Sequence, residues 1–278
     1  MKNLSLRQVV NKFFEEDDFS RNIFYNQSLP TRNVKCQLKL KDDLILSGLP
    51  FVESVFSELI GENFSIVDAS DWEGRKISKS ENEMIEFELP FNVALSGERL
   101  ALNLLQRSSS VSTYTNKFVK IAEASGIKIL DTRKTTPGLR FLEKYAVRVG
   151  GGYNHRMGQT DTWMIKDNHK SFFGSLKDAL EFFNKMGSFY NSIVVEIHNT
   201  SELEEAISLG VKHVMLDNFS PEQVSEAISL KRDSMTFEVS GGINLENIKN
   251  YLISGVDGIS IGKITYDAPS VDISLKFG

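Results

Sequence analysis

From residue 127 onward the chain alternates short, β-branched apolar runs with amphipathic helical segments. The runs fall at 127–130, 145–149, 162–166, 192–197, 213–217, 235–240 and 257–261. Helical spacing marks 175–186, 201–209, 221–230 and 245–253 between the later ones. Strands separated by helices pair in parallel, because a helix returns the chain to the same end of the sheet. The run endings choose between an open sheet and a barrel. Val194 and Val195 lead to Glu196, and Met215 and Leu216 lead to Asp217. Val239 leads to Ser240, Gly241 and Gly242, and Ile261 leads to Gly262. Acids and glycines at successive strand ends fit a barrel with its chemistry at that face, and seven runs in place of eight predict an incomplete one.

The earlier residues follow another pattern. A helix over 5–17, period-two alternation over 34–47, a helix opened by Pro50 and strand candidates through 63–89 describe an α+β unit with antiparallel strands. The alternation at 34–47 predicts a hairpin turning at Asp42 and Asp43. Helical spacing over 92–106 breaks at the serines 108–110 and resumes at 113–124, so the domain boundary is expected at 108–112. A chain of 278 residues, 41% apolar, buries a core without covalent staples. Its one cysteine, Cys36, excludes an internal disulfide, suits a reducing compartment and reads as a small buried hydrophobe. The N-terminal stretch turns acidic too early for a secretory leader. No window has the apolar length of a membrane span, so a cytoplasmic protein is expected.

Positive charge is gathered in one place. Residues 131–170 hold eight Lys or Arg against four acids, a net +4 in a chain of −5, which leaves −9 for the remainder. His155, His169 and the triplet Gly150, Gly151 and Gly152 lie in the same stretch. Cations collected within an acidic protein point to an anion held there. A solvated basic face has the same composition. Spacing favours the anion: Arg133 and Lys134 follow the first run, His155 and Arg156 the second, and Lys166 ends the third. A solvated helix face would repeat every three or four residues instead. Without a broad basic face, the chain is a poor nucleic-acid binder.

Individual residues carry further expectations. Ser240, Gly241 and Gly242 precede a helix expected from Asn244, where backbone N–H groups bind phosphate, and Gly262 gives a second close approach. Glycines serve plain turns as readily. Glu196 and Asp217, at neighbouring strand ends, can share a hydrated Mg2+ or act as helix N-caps. His155 is an anion contact or a structural histidine. Lys166 can in principle form a Schiff base, but the cations around it favour anion binding. His198 and His213 lack zinc spacing and read as structural. Arg99, taken alone, reads as a solvated helix arginine.

These residues resemble one family, the quinolinate phosphoribosyltransferases, also called nicotinate-nucleotide pyrophosphorylases (carboxylating), along nearly the whole chain. The resemblance is carried by DTRKTTPGLR at 131–140, KYAVRVGGGYNHR at 144–156, IKDNH at 165–169, MLDNF at 215–219 and SGGI at 240–243. It implies an N-terminal α/β sandwich domain over 1–110, an incomplete α/β barrel over 111–278, a tail over 270–278 that returns to the first domain, and an interlocked homodimer. It implies transfer of phosphoribosyl from phosphoribosyl pyrophosphate to quinolinate with decarboxylation, in NAD biosynthesis. By matched position, Arg99 enters the neighbouring subunit's site and meets substrate carboxylate. Arg133, His155 and Arg156 grip the pyridine dicarboxylate, and Lys134 and Lys166 lie between the two substrates. Glu196 and Asp217 hold the ribose and Mg2+, and Ser240, Gly241, Gly242 and Gly262 hold phosphate. The family's Gly-Asp-hydrophobic-Thr segment reads Arg21–Asn22–Ile23–Phe24 here. Its Gly-Ala-Leu-Thr-His reads Gly262–Lys263–Ile264–Thr265–Tyr266, with Lys263 as a substitute cation. A sister transferase linked to molybdenum, and a dicarboxylate-binding protein without turnover, are the alternatives.

Overall fold

A computed structural model describes residues 4–16, 23–188 and 190–278, so the departure at Arg21 and Asn22 lies outside the described residues. Its strands, numbered along the chain, begin with β1 (Asn33–Leu40), β2 (Leu44–Ile45), β3 (Lys76–Ile77) and β4 (Met84–Pro90). Then come β5 (Lys128–Leu130), β6 (Trp163–Ile165), β7 (Ile193–Ile197), β8 (His213–Asp217), β9 (Thr236–Ser240), β10 (Gly258–Ser260) and β11 (Ile273–Phe277). The chain divides into two compact units. One is Met1–Tyr114 with Phe141–Gly150 and Ala268–Gly278; the other is Thr115–Arg140 with Gly151–Asp267.

In the first unit β1 is the centre of an antiparallel sheet ordered β11-β1-β4. Leu38 stands opposite Ile85 on one side and Leu275 on the other, so period-two alternation gives all three strands one apolar face. The hairpin expected over 34–47 does not form. β1 takes its partners from 84–90 and from the chain's last residues, while β2 pairs with β3. Alternation specifies which face is buried, not which strand is the neighbour. Cys36 lies on that buried face, and burial pushes its thiol up to about 11, leaving it inert. Helix Leu49–Ile60 starts with Pro50 in its first turn. The N–H groups of Gly48 and Leu49 donate to the Glu73 carboxylate at 2.8 and 2.9 Å, placing an anion at the positive end of the helix.

Two expectations fail here for instructive reasons. Helix Phe91–Ala122 runs unbroken through the serines at 108–110. Ser110 Oγ donates to Gln106 O at 2.7 Å, and Ser47 and Ser108 hydroxyls meet at 2.7 Å. Each hydroxyl is satisfied without releasing a helical carbonyl, so the usual competition with the backbone is absent. The run at 145–149 is not a strand but the end of helix Arg140–Val149. Leu142, Ala146 and Val147 form a buried helical stripe, and fully buried Glu143 accepts from Arg107 Nε and Nη2 at 2.9 and 2.6 Å. Tertiary burial overrides the β preference of two valines and a tyrosine.

The second unit is a parallel sheet ordered β5-β10-β9-β8-β7-β6. Each strand from β6 to β10 pairs with the next, and the last pairs with the first, β5. Among the described residues the seam between β5 and β6 stays open, and Tyr153 adds a single bridge to Leu130 beside it. This is the incomplete α/β barrel, with six strands. Its helices include Asp167–Phe173, Leu176–Met186, Thr200–Ser208 and Pro221–Ser229. Their N-caps are legible: the side chains of Ser175, Asn199 and Ser220 accept from backbone N–H groups three residues on. The helix expected from Asn244 is absent. Asn244 and Asn247 bond to each other's backbone and stop the turn, leaving one 3-10 segment at Ile248–Tyr251. Among the described residues no helix is long and apolar enough to cross a membrane.

Candidate active site

The strand C-termini of the second unit surround a cavity of about 310 Å³. A larger hollow of about 560 Å³ lies at the opposite strand ends, around Ser192, Lys212 and His213. Its charges, Lys177, Glu181 and Lys212, are of mixed sign. Barrel chemistry belongs to the C-terminal face, so the smaller cavity is the site.

Each loop leaving β5, β6 and the Tyr153 bridge delivers cations to it. Arg133 and Lys134 follow β5, His155 and Arg156 follow Tyr153, and Lys166 follows β6; all five line the cavity. Burial, and next the facing Arg133, depress the Arg156 guanidinium below its ordinary value. Arg156 Nη1 donates to Thr162 O at 3.0 Å, whereas Arg133 Nε is buried with no hydrogen-bond partner. Two like charges held together in a partly dry pocket, one with an unsatisfied donor, are complementary to an anion. Met164 and Met215 supply apolar wall.

The acids occupy the other side. Glu196 in β7, Asp217 ending β8 and Ser240 ending β9 line the cavity. Register places Glu196 opposite Met215 and Asp217 opposite Ser240, so all point inward. Neither carboxylate caps a helix, because Asn199 and Ser220 hold those positions. Lys166 Nζ pairs with Glu196 Oε2. The other oxygen, Oε1, lies 3.7 Å from His198 Nε2, and His198 Nδ1 lies 4.0 Å from Asp217 Oδ2. Ligand atoms of Glu196, His198 and Asp217 fall within 4.8 Å of one another, a donor set that suits a divalent cation. His198, expected to be structural, also sets its Nε2 2.9 Å from Asp167 Oδ2, and its place two residues after Glu196 returns it to the same face. His213 bonds Thr236 Oγ1 at 2.7 Å, at the far end of β8. The other reading of Lys166, a Schiff-base amine, is not favoured beside a paired carboxylate.

Gly241 follows Ser240 with φ 100°, and Gly242 with φ 63°. A Cβ on Gly241 would sit 2.3 Å from Asn218 Oδ1, so only glycine fits. The open turn remains as a backbone cradle, without the helix N-terminus expected behind it. A Cβ on Gly262 would meet Tyr266 at 2.8 Å and Lys134 Cδ at 3.0 Å. Lys263 pairs with Asp267 at 3.1 Å and does not line the cavity. Arg99 belongs to the first unit, on helix Phe91–Ala122.

Asp131 and Ser260 were missed. Asp131, fully buried, accepts from Asn154 Nδ2 at 2.6 Å and from His155 N–H at 2.8 Å, anchoring the cationic loop. Its charge alone gives no sign of that role. Ser260 ends β10 as Ser240 ends β9 and lines the cavity with its Oγ unpartnered.

Residues 22–109 match the domain family described as quinolinate phosphoribosyl transferase, N-terminal domain, and residues 111–276 match the corresponding C-terminal domain. A Bacillus subtilis (strain 168) protein described as "Probable nicotinate-nucleotide pyrophosphorylase" (carboxylating) is 39% identical over 99% of this chain and 94% of its own length. A Rattus norvegicus nicotinate-nucleotide pyrophosphorylase (carboxylating) is 33% identical over 98% of this chain and 91% of its own. The crystal structure of NadC from Streptococcus pyogenes superposes with a TM-score of 0.88 at 33% identity, covering 99% and 98% of the two chains.

Proposed function

The chain belongs to the quinolinate phosphoribosyl transferase family, and on that premise we infer that it joins quinolinate to phosphoribosyl pyrophosphate, releasing nicotinate mononucleotide, pyrophosphate and CO2 in NAD biosynthesis. The observation that carries this reading is the Arg133–Arg156 pair, two arginines lining one cavity, one of them with an unsatisfied buried donor. A planar guanidinium matches a carboxylate in two-point contact, and a pyridine dicarboxylate offers two carboxylates on one rigid ring.

The roles follow from position. Arg133 and Arg156 hold the dicarboxylate, His155 lines the same wall and steadies the loop that carries Arg156, and Ser240, Gly241, Gly242 and Gly262 cradle the sugar phosphate. Glu196 and Asp217 orient the ribose hydroxyls. The pyridine nitrogen attacks the anomeric carbon as the bond to pyrophosphate breaks, and the leaving group carries away both electrons. Lys134 and Lys166 stabilise its growing negative charge. The ring nitrogen is now quaternary and cationic. The bond to the 2-carboxylate breaks, its electrons stay on the ring carbon, and a solvent proton fills that position. Holding both reactants in one orientation removes most of the entropic barrier. Glu196 and Asp217, with His198 beside them, are the residues that would hold Mg2+, which supplies further charge neutralisation for pyrophosphate.

Purified protein given quinolinate, phosphoribosyl pyrophosphate and Mg2+ is expected to form nicotinate mononucleotide. A chelator should stop it, and nicotinic acid should react at least about 100-fold more slowly, because the missing carboxylate leaves buried cations unpaired. Equal rates for the two acids would remove the dicarboxylate assignment. On this reading Arg99 reaches the neighbouring subunit's site across a homodimer interface. Mixing inactive Arg99→Ala and Lys166→Ala chains should then restore about a quarter of wild-type activity, since half the dimers carry one intact site. No recovery would return Arg99 to its own subunit. The single inert thiol agrees with a cytoplasmic enzyme.

A further inference from the structure

We propose that Glu238 is a positioning residue of the dicarboxylate site, acting through His155. This rests on the reading of that site given above. Glu238 is in β9, opposite Met215 of β8 and Gly258 of β10, so its side chain enters the barrel one layer beneath Ser240. It does not line the cavity. Its Oε2 lies 3.3 Å from His155 Nε2, and the two side chains are 17% and 10% exposed.

The other face of the imidazole is also committed. The backbone N–H of Arg156 donates to His155 Nδ1 at 2.6 Å. A ring that accepts at Nδ1 carries its proton at Nε2. That proton points at Glu238. Asp131 meanwhile takes the backbone N–H of His155. The Asn154–His155–Arg156 loop is therefore pinned from two strands, by Asp131 after β5 and by Glu238 in β9. Arg156 leaves this loop into the cavity, so the direction of its guanidinium depends on the ring being locked.

A buried carboxylate inside a barrel that gathers anions is costly, and Glu238 Oε1 has no hydrogen-bond partner at all. A group that only filled space would be apolar. What Glu238 offers that leucine does not is an acceptor for Nε2–H. Binding should then fall with no matching loss of stability when the acceptor is removed, which a purely structural role does not do.

The experiment is quinolinate binding by calorimetry on the intact enzyme, with melting temperature recorded beside it. Glu238→Leu keeps the volume and removes the acceptor. It should weaken quinolinate about tenfold, with melting temperature unchanged or raised. Glu238→Gln restores an acceptor and should bind within about threefold of wild type. In a His155→Ala background Glu238→Leu should add less than about a twofold loss, because the two act as one unit. Full-strength binding by Glu238→Leu, failure of glutamine to rescue, or an additive loss in the double variant would each overturn the proposal. If Glu238→Leu does not fold, Glu238→Ala takes its place in the same cycle. Wild-type protein that does not bind quinolinate would instead overturn the reading of the site itself.

Discussion

Arg133→Ala is expected to lower kcat/KM for quinolinate by about 100- to 1,000-fold, the scale for truncating one partner of a desolvated charge pair. The loss should fall mainly on quinolinate binding. Nothing in the resting protein satisfies Arg133 Nε, so removing the side chain breaks no internal bond at that atom. It also relieves the facing charge that helps depress Arg156. The melting temperature should therefore hold or rise while substrate affinity falls. Arg133→Lys keeps the charge but not the two-point fork and should recover only part of the loss. Steady-state kinetics with quinolinate varied at saturating phosphoribosyl pyrophosphate is the measurement. An unaltered rate for Arg133→Ala would take this residue out of the site.

The second large effect is on turnover. Lys166→Ala should reduce kcat by about 100- to 1,000-fold, the usual consequence of deleting a donor aimed at developing charge. Lys166 is held by Glu196 at one end and by its backbone at the other, where its N–H donates to His169 Nδ1 at 3.0 Å. The ammonium is thus fixed before substrate arrives, and no reorganisation is needed when pyrophosphate begins to leave. Single-turnover measurements separate this from slow product release. A kcat within about threefold of wild type would move the leaving-group role to Lys134 alone.

What the sequence revealed was what one strand end can reveal. Glu196, Asp217 and Ser240 each close or nearly close a run whose apolar residues face a core, so their placement on one rim followed from period and direction. Arg133, Lys134 and Lys166 were found the same way. His155 and Arg156 were also found, but on a wrong premise: the run before them is helical, and the cations arrive on a loop after a single bridge at Tyr153. Where partners come from distant sequence, local pattern was silent. The Ser47–Ser108 contact kept one helix whole, and the last strand displaced an expected hairpin. Glu238 sat inside an unremarkable TFEVS strand, and nothing nearby marks it as the neighbour of His155.

β11 has a consequence for how the molecule is made. Domains of a nascent chain ordinarily acquire structure in the order they emerge. Here β1, a strand within the first forty residues, waits for Cys36 to meet Phe277 and Leu40 to meet Ile273. The barrel unit, complete by Asp267, has every strand available while the opening unit still shows a bare edge. A chain broken off between β10 and β11 therefore leaves one edge of β1 exposed and ready to pair with another chain.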